Sequence, residues 1–218
     1  MSTAASTEKK NILVAGGAGF IGSHLCDELV KHARVICIDN FLTGSEENIN
    51  HLLANPDFKF IRQDVTLPID FDAYPELKPF RIPVQGIQEV YNLACPTSPR
   101  DYRQFQVETL LANAFGTKHT LDVAVRYKAA YLLSSSSAIY GEPVNDTPFV
   151  ESYWGYVDPI GSRSSYAEGK RFAESLVVNF RERYSVDAKI LRIFNTYGPR
   201  MKLTDGRVIP DFVNDALA

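Results

Sequence analysis

A largely apolar run, Asn11-Ile12-Leu13-Val14-Ala15, leads directly into Gly16-Gly17-Ala18-Gly19-Phe20-Ile21-Gly22, and then into an amphipathic stretch that closes near Lys31. Few folds accept that order. A strand must stop, the backbone must reverse within a few residues, and a helix must start. The spacing of Gly16, Gly19 and Gly22 removes side chains where the backbone has to approach something closely. A helix that starts there offers unpaired N–H groups and the positive end of its dipole, which suits an anion such as a pyrophosphate. About twenty residues on, Asp39 ends a second apolar run, Val35-Ile36-Cys37-Ile38. A carboxylate at that point hydrogen-bonds ribose hydroxyls and repels a 2′-phosphate. Its neighbours Asn40 and Phe41 supply no arginine, so the reading is NAD rather than NADP. Asp64 and Val65, just past a third run, are expected to flank the adenine.

The rest of the chain repeats this alternation. Strands are expected at 11–15, 34–38, 58–62, 87–93, 130–135 and 187–193, and helices at 20–31, 45–54, 101–127, 165–184 and from 210 onward. Strands separated by helices give an α/β, doubly wound parallel sheet of the Rossmann type. Pro68, Pro75, Pro79 and Pro83 point to an irregular insertion over 66–86. Residues 1–10 are polar and small and read as a disordered leader, with one dinucleotide-binding domain over 11–218. The chain stops inside what reads as a starting helix, so a truncated chain is expected.

Composition removes other classes of function. A net charge of −3 without a basic block gives no electrostatic case for nucleic acid. No apolar run approaches the ~18 residues of a membrane span. Three cysteines without C-x-x-C spacing argue against a disulfide framework and a zinc site, and for a reducing, cytoplasmic setting. The four histidines are scattered without ligand spacing, so no metal is expected.

A second motif lies far downstream. Tyr166 and Lys170 stand four residues apart, on one face of a helix. A tyrosine with an ordinary pKa near ~10 is a poor base at neutral pH. An ammonium close by, together with a positive nicotinamide ring, favours the phenolate and lowers that value. Ser134-Ser135-Ser136-Ser137 ends the fifth expected strand, where open α/β sheets bind ligands. Serine, tyrosine and lysine together read as a group that takes a proton from a hydroxyl while a nicotinamide takes the hydride.

GGAGFIG, SSSSAIYG, YAEGK and RIFNTYGPR together resemble the extended short-chain dehydrogenase/reductases that modify nucleotide sugars. NLACPTSP at 92–99, the stretch from Tyr153 to Gly161, and Asp205-Gly206-Arg207-Val208 are most similar to the UDP-glucuronate decarboxylase subgroup. The resemblance implies that Tyr166 is the base, Lys170 its partner and Ser136 the usual Ser/Thr. It implies cofactor contacts at Gly16, Gly19, Phe20, Ile21, Gly22, Asp39, Asn40, Asp64, Val65, Leu93, Thr196 and Arg207, and a substrate contact at Asn195. The implied chemistry is oxidation at C4 of a UDP-sugar by tightly held NAD, followed by loss of CO2, elimination of water or return of the hydride. A homodimer through the helices at 101–127 and 165–184 is implied as well. Three features depart from the subgroup's pattern: the C-terminal substrate lobe that the resemblance implies is expected to be missing, Leu111 stands where decarboxylases carry lysine, and Ala138 stands where they carry glutamate. SSSSAIYG in that respect is closer to the 4-epimerases. The alternatives are a 4-epimerase or dehydratase, and, from another class, a non-catalytic NAD-binding module.

Overall fold

The computed structural model describes residues 8–143 and 148–217. The first seven residues of the expected leader lie outside that range. Of the last three, Lys9 and Lys10 are tied to Asp57 (2.6 Å) and Glu89 (2.8 Å).

Six parallel strands form one sheet in the order β3-β2-β1-β4-β5-β6. They are β1 (Asn11–Ala15), β2 (Arg34–Asp39), β3 (Phe58–Arg62), β4 (Glu89–Asn92), β5 (Ala130–Ser136) and β6 (Ala188–Ile193). All six lie within a residue or two of the sequence-based expectation. Helices cover both faces, and the alternation of side chains along each strand divides the core accordingly. Leu13, Ile36, Val90, Tyr131 and Leu133 enter one apolar cluster, while Ile12, Val14, Val35 and Cys37 enter the other. The buried Tyr131 hydroxyl meets Asn92 Nδ2 (3.2 Å) and Thr120 Oγ1 (3.0 Å), which satisfies a polar group that would otherwise be costly inside the core.

The helices are α1 (Phe20–Leu29), α2 (Ile82–Gln85), α3 (Pro99–Gln104), α4 (Gln106–Leu111), α5 (Thr117–Tyr127), α6 (Ser164–Tyr184) and α7 (Val208–Leu217). Three expectations need correcting. The helix expected at 45–54 is two short 3-10 turns. The segment 66–86 is no loose loop: 3-10 turns and α2 carry Phe71, Leu77, Phe80 and Ile82 into the core. The helix expected over 101–127 breaks at Phe105, whose φ of −116° and ψ of 54° leave helical space, and again at a π-helical turn, Ala112–Gly116. That turn buries Asn113, whose amide donates to Thr109 O and to Cys95 Sγ (3.1 Å), so it links the helix to the end of β4.

The strand order reverses between β1 and β4. In such sheets the crevice beyond the carboxyl ends of these strands is where ligands bind.

Candidate active site

A cleft of about 1260 Å³ opens at those carboxyl ends. Its floor is the glycine turn. Gly16 has φ +78°, and a Cβ there would stand 2.7 Å from the Ala94 nitrogen, so no other residue fits without moving β4. Gly19 is the N-cap of α1 and offers no side-chain cap, which leaves the first N–H groups of the helix facing the cleft without a protein acceptor from that residue. Gly16, Gly19, Phe20, Ile21, Gly22, Leu93, Ser136, Asn195, Thr196, Tyr166 and Arg207 all line this one cleft.

Asp39, Asn40, Asp64, Val65 and Lys170 are not lining residues but stand behind them. Asp39 accepts from Ala18 N (3.0 Å) and Phe41 N (2.8 Å), so it braces the glycine turn from below. Burial raises its carboxyl above the ordinary range, against the pull of the N–H groups of Phe41, Ala18 and Asn40. Asn40 donates to Asp64 Oδ2 (3.0 Å), and Asp64 Oδ1 accepts from Thr66 N (2.8 Å). Val65 is buried beneath Gly116.

Sequence reading missed Arg62. The parallel register sets it opposite Asp39, and its guanidinium lies 5.7 Å over the Phe41 ring. Linear neighbours of Asp39 hold no arginine, but the adjacent strand does. Asp39→Ala should therefore do more than remove a repulsion: with Arg62 in place it should let NADP bind within about tenfold of NAD. Isothermal titration with both cofactors checks this, and an unsubstituted protein that binds both equally would refute the carboxylate's role.

The serine run and α6 meet residue by residue. Tyr166 and Ser136 line the cleft together, and the Ser136 hydroxyl is near enough to favour the ionised phenol. Lys170, one turn on and 3% exposed, donates its Nζ to Ser134 O at 2.7 Å. Glu174, a further turn on, accepts from Ser135 Oγ at 2.5 Å and pairs with Arg192 through both oxygens (3.0 and 2.8 Å). Glu174 was legible as the next residue on the Tyr166–Lys170 face. Tyr102 was not. Its ring stacks on Tyr166 with centroids 5.2 Å and planes 8° apart.

The expected lowering of the Tyr166 pKa is not what the chain's own groups produce. Burial, with Cys95 and Tyr102 adding to it, pushes the phenol up to about 12, against the nearby Ser136 hydroxyl and the Arg207 charge. The Lys170 ammonium is directed at a backbone carbonyl, and its effect falls on the Cys95 thiol, which burial nonetheless raises. Tyr91 and Tyr131 are also pushed up to about 12, chiefly by burial. A phenol whose folded value exceeds its unfolded value near ~10 adds stability below pH ~10 and loses it as pH rises through the folded value. These three should stay protonated until the fold opens, so alkaline unfolding and late tyrosinate absorbance should coincide at about pH 12. Their titration near pH ~10 in the folded protein would contradict the burial.

On the far wall Thr196 Oγ1 donates to Phe194 O, and Arg207 donates to Thr97 Oγ1 (3.0 Å) while pairing with Asp205 (3.4 Å). The cleft lining carries both signs of charge: Arg103, Arg163, Lys202 and Arg207 stand there with Glu47, Asp101, Glu142, Asp158 and Asp205. Leu111 is on α4, 39% exposed and outside the cleft, whereas Ala138 lines it. Among the described residues no cluster of metal-ligating side chains occurs, and no helix is long and apolar enough to cross a membrane.

The model of the family described as "NAD dependent epimerase/dehydratase family" matches residues 12–218. The chain belongs to this family. NAD is the family's cofactor, and the cradle fits it: a glycine turn with no room for a Cβ, an uncapped helix start and an acid at the end of β2. UDP-glucuronic acid decarboxylase 1 of Arabidopsis thaliana is 46% identical over 207 residues, which are 94% of this chain and 44% of that protein. The chain thus spans less than half the length of this curated relative. Among solved structures, UDP-N-acetylglucosamine 4-epimerase from Methanobrevibacter ruminantium superposes with a TM-score of 0.78 at 29% identity, over 96% of this chain and 63% of that one. UDP-glucuronic acid 4-epimerase from Bacillus cereus, solved with UDP-glucuronic acid and NAD, gives 0.69 at 30% identity, over 88% and 58%.

Proposed function

We propose that this chain is the NAD-binding, proton-abstracting part of a nucleotide-sugar enzyme that oxidises the sugar at C4, with UDP-glucuronate as substrate. One observation carries the reading: Tyr166 and Ser136 line the same cleft as the glycine cradle, with Lys170 behind them. Gly16, Gly19, Phe20, Ile21 and Gly22 would hold the cofactor's diphosphate, with Asp39 bracing the turn. Bound NAD supplies the acceptor for the C4 hydride. Ser136 orients the C4 hydroxyl, and the Tyr166 oxygen receives its proton. With its phenol at about 12, Tyr166 needs added positive charge before it can act as a base at neutral pH. Lys170, one turn on along α6, holds the Ser134 carbonyl behind this site. Asn195 on the opposite wall contacts the sugar side.

The decarboxylase relatives support UDP-glucuronate. Ala138 favours a second reading, 4-epimerisation of the same sugar. The test is incubation of the NAD-loaded protein with UDP-glucuronate or UDP-glucose and product analysis by mass spectrometry and NMR. No reduction of bound NAD by any nucleotide sugar would leave a non-catalytic NAD-binding module as the reading. Two copies pair through the apolar side chains left outside by α4 to α6, Val107, Leu110, Phe115 and Phe172, which are 43–63% exposed. The three free thiols fit a cytoplasmic setting.

A further inference from the structure

Helix α1 opens at the glycine cradle, and one of its faces carries Phe20, His24 and Asp27, spaced i, i+4 and i+7. Opposite that face runs the segment between β6 and α7, which brings Asn195, Thr196 and Arg207 to the cleft. The two meet in register. Gly198 lies against the Phe20 ring, with room for no more than a Cβ 3.4 Å from Cζ. The His24 ring Nε2 donates to Pro199 O at 3.0 Å. Arg200 pairs with Asp27 Oδ2 at 2.6 Å. Three consecutive residues of the segment are thus held by three side chains of one helix face. Asp27 is held in turn from a third direction, by His51 Nε2 at 2.6 Å from Oδ1.

Arg200 carries two unfavourable features. Its φ of +68° lies in the left-handed region, which a residue with a Cβ avoids, and its Nη1 is buried without a hydrogen-bond partner among the described residues. A segment free to choose would place this residue otherwise. The Asp27 carboxylate holds it there, on the helix whose N-terminus forms the phosphate cradle.

We propose that Asp27 and Arg200 form a positioning latch, which fixes the 194–207 segment against α1 so that cofactor affinity depends on an ion pair outside the cradle itself. Neither residue is given a chemical role. The latch aligns the two walls of the cleft before a dinucleotide enters, so less ordering is left for binding to supply. This rests on the NAD reading above, and the experiment separates the two.

NAD dissociation constants are measured by isothermal titration on the 218-residue chain and on Asp27→Asn, Arg200→Met, the double variant and Arg200→Lys. Each of the first two substitutions should weaken NAD binding about 3- to 30-fold, the range of coupling carried by residues away from a ligand. The double variant should be no weaker than the weaker single one, because either change alone already opens the latch. Arg200→Lys, which keeps the charge, should recover part of the loss. Hydrogen exchange in 194–207 should rise in Arg200→Met without a matching rise in the strands. Unchanged affinity in Arg200→Met, or losses that simply add in the double variant, would overturn the latch and leave the NAD reading standing. Failure of the unsubstituted chain to bind NAD would overturn both.

Discussion

Tyr166→Phe should abolish reduction of bound NAD by nucleotide sugar, in a form of the protein that turns the sugar over, while leaving NAD affinity within about twofold. The substitution removes one oxygen. That oxygen lines the cleft beside Ser136, where α6 can take a proton from a hydroxyl lying over the serine run. The ring itself remains stacked on Tyr102, so the wall of the cleft keeps its shape. A general base of this kind contributes ~10²–10⁴-fold to rate, and the loss should be of that size. Stopped-flow absorbance of NADH at saturating sugar reports the step directly. The pH profile adds a second check. The phenol is pushed up to about 12 by its surroundings, so the rate should rise with pH across the neutral range and flatten where the ligand-bound site ionises. A Tyr166→Phe protein that reduces NAD at near-normal rate would remove Tyr166 from the mechanism.

Much of the fold was legible because it is set by local rules. Parallel strands covered on both faces are apolar throughout, and Val35-Ile36-Cys37-Ile38 shows it at a glance. The glycine turn was legible because a strand, three spaced glycines and a helix leave little else to build. What could not be read came from contacts across the sheet or between distant segments. Arg62 meets Phe41 only because β3 pairs with β2 in a particular register. Tyr102 reaches Tyr166 only because the helix expected over 101–127 breaks at Phe105 and bulges at 112–116. Periodicity ran smoothly through both points, and the breaks are tied to tertiary contacts of Asn113 and Gly116. The Tyr166–Lys170 spacing correctly put both residues on one face. It could not show that the ammonium is directed at Ser134 O, a backbone atom with no signature in sequence.

Ala138→Glu should move the products of UDP-glucuronate from the C4 epimer toward the decarboxylated sugar by about 10²-fold or more, the scale of a positioned acid. Once C4 is a ketone, two outcomes compete. The hydride can return to either face of C4, which gives substrate or its epimer. Alternatively the C5–carboxylate bond breaks, CO2 leaves, its electron pair is delocalised onto the C4 oxygen, and C5 must then take up a proton. The second outcome benefits from an acid beside the sugar, and the first does not. Ala138 lines the cleft two residues after Ser136, and its N–H donates to the Ser136 hydroxyl (3.1 Å), so a longer side chain there starts beside the reacting hydroxyl. With a methyl group at this position the unsubstituted protein should yield mainly the epimer. Leu111→Lys should leave the ratio unchanged within one chain, because Leu111 lies on the outer side of α4 and does not reach the cleft. Mass spectrometry separates the two products by the mass of CO2, and NMR identifies the epimer. UDP-xylose as the main product of the protein with Ala138 in place would show that the acid at this position is dispensable.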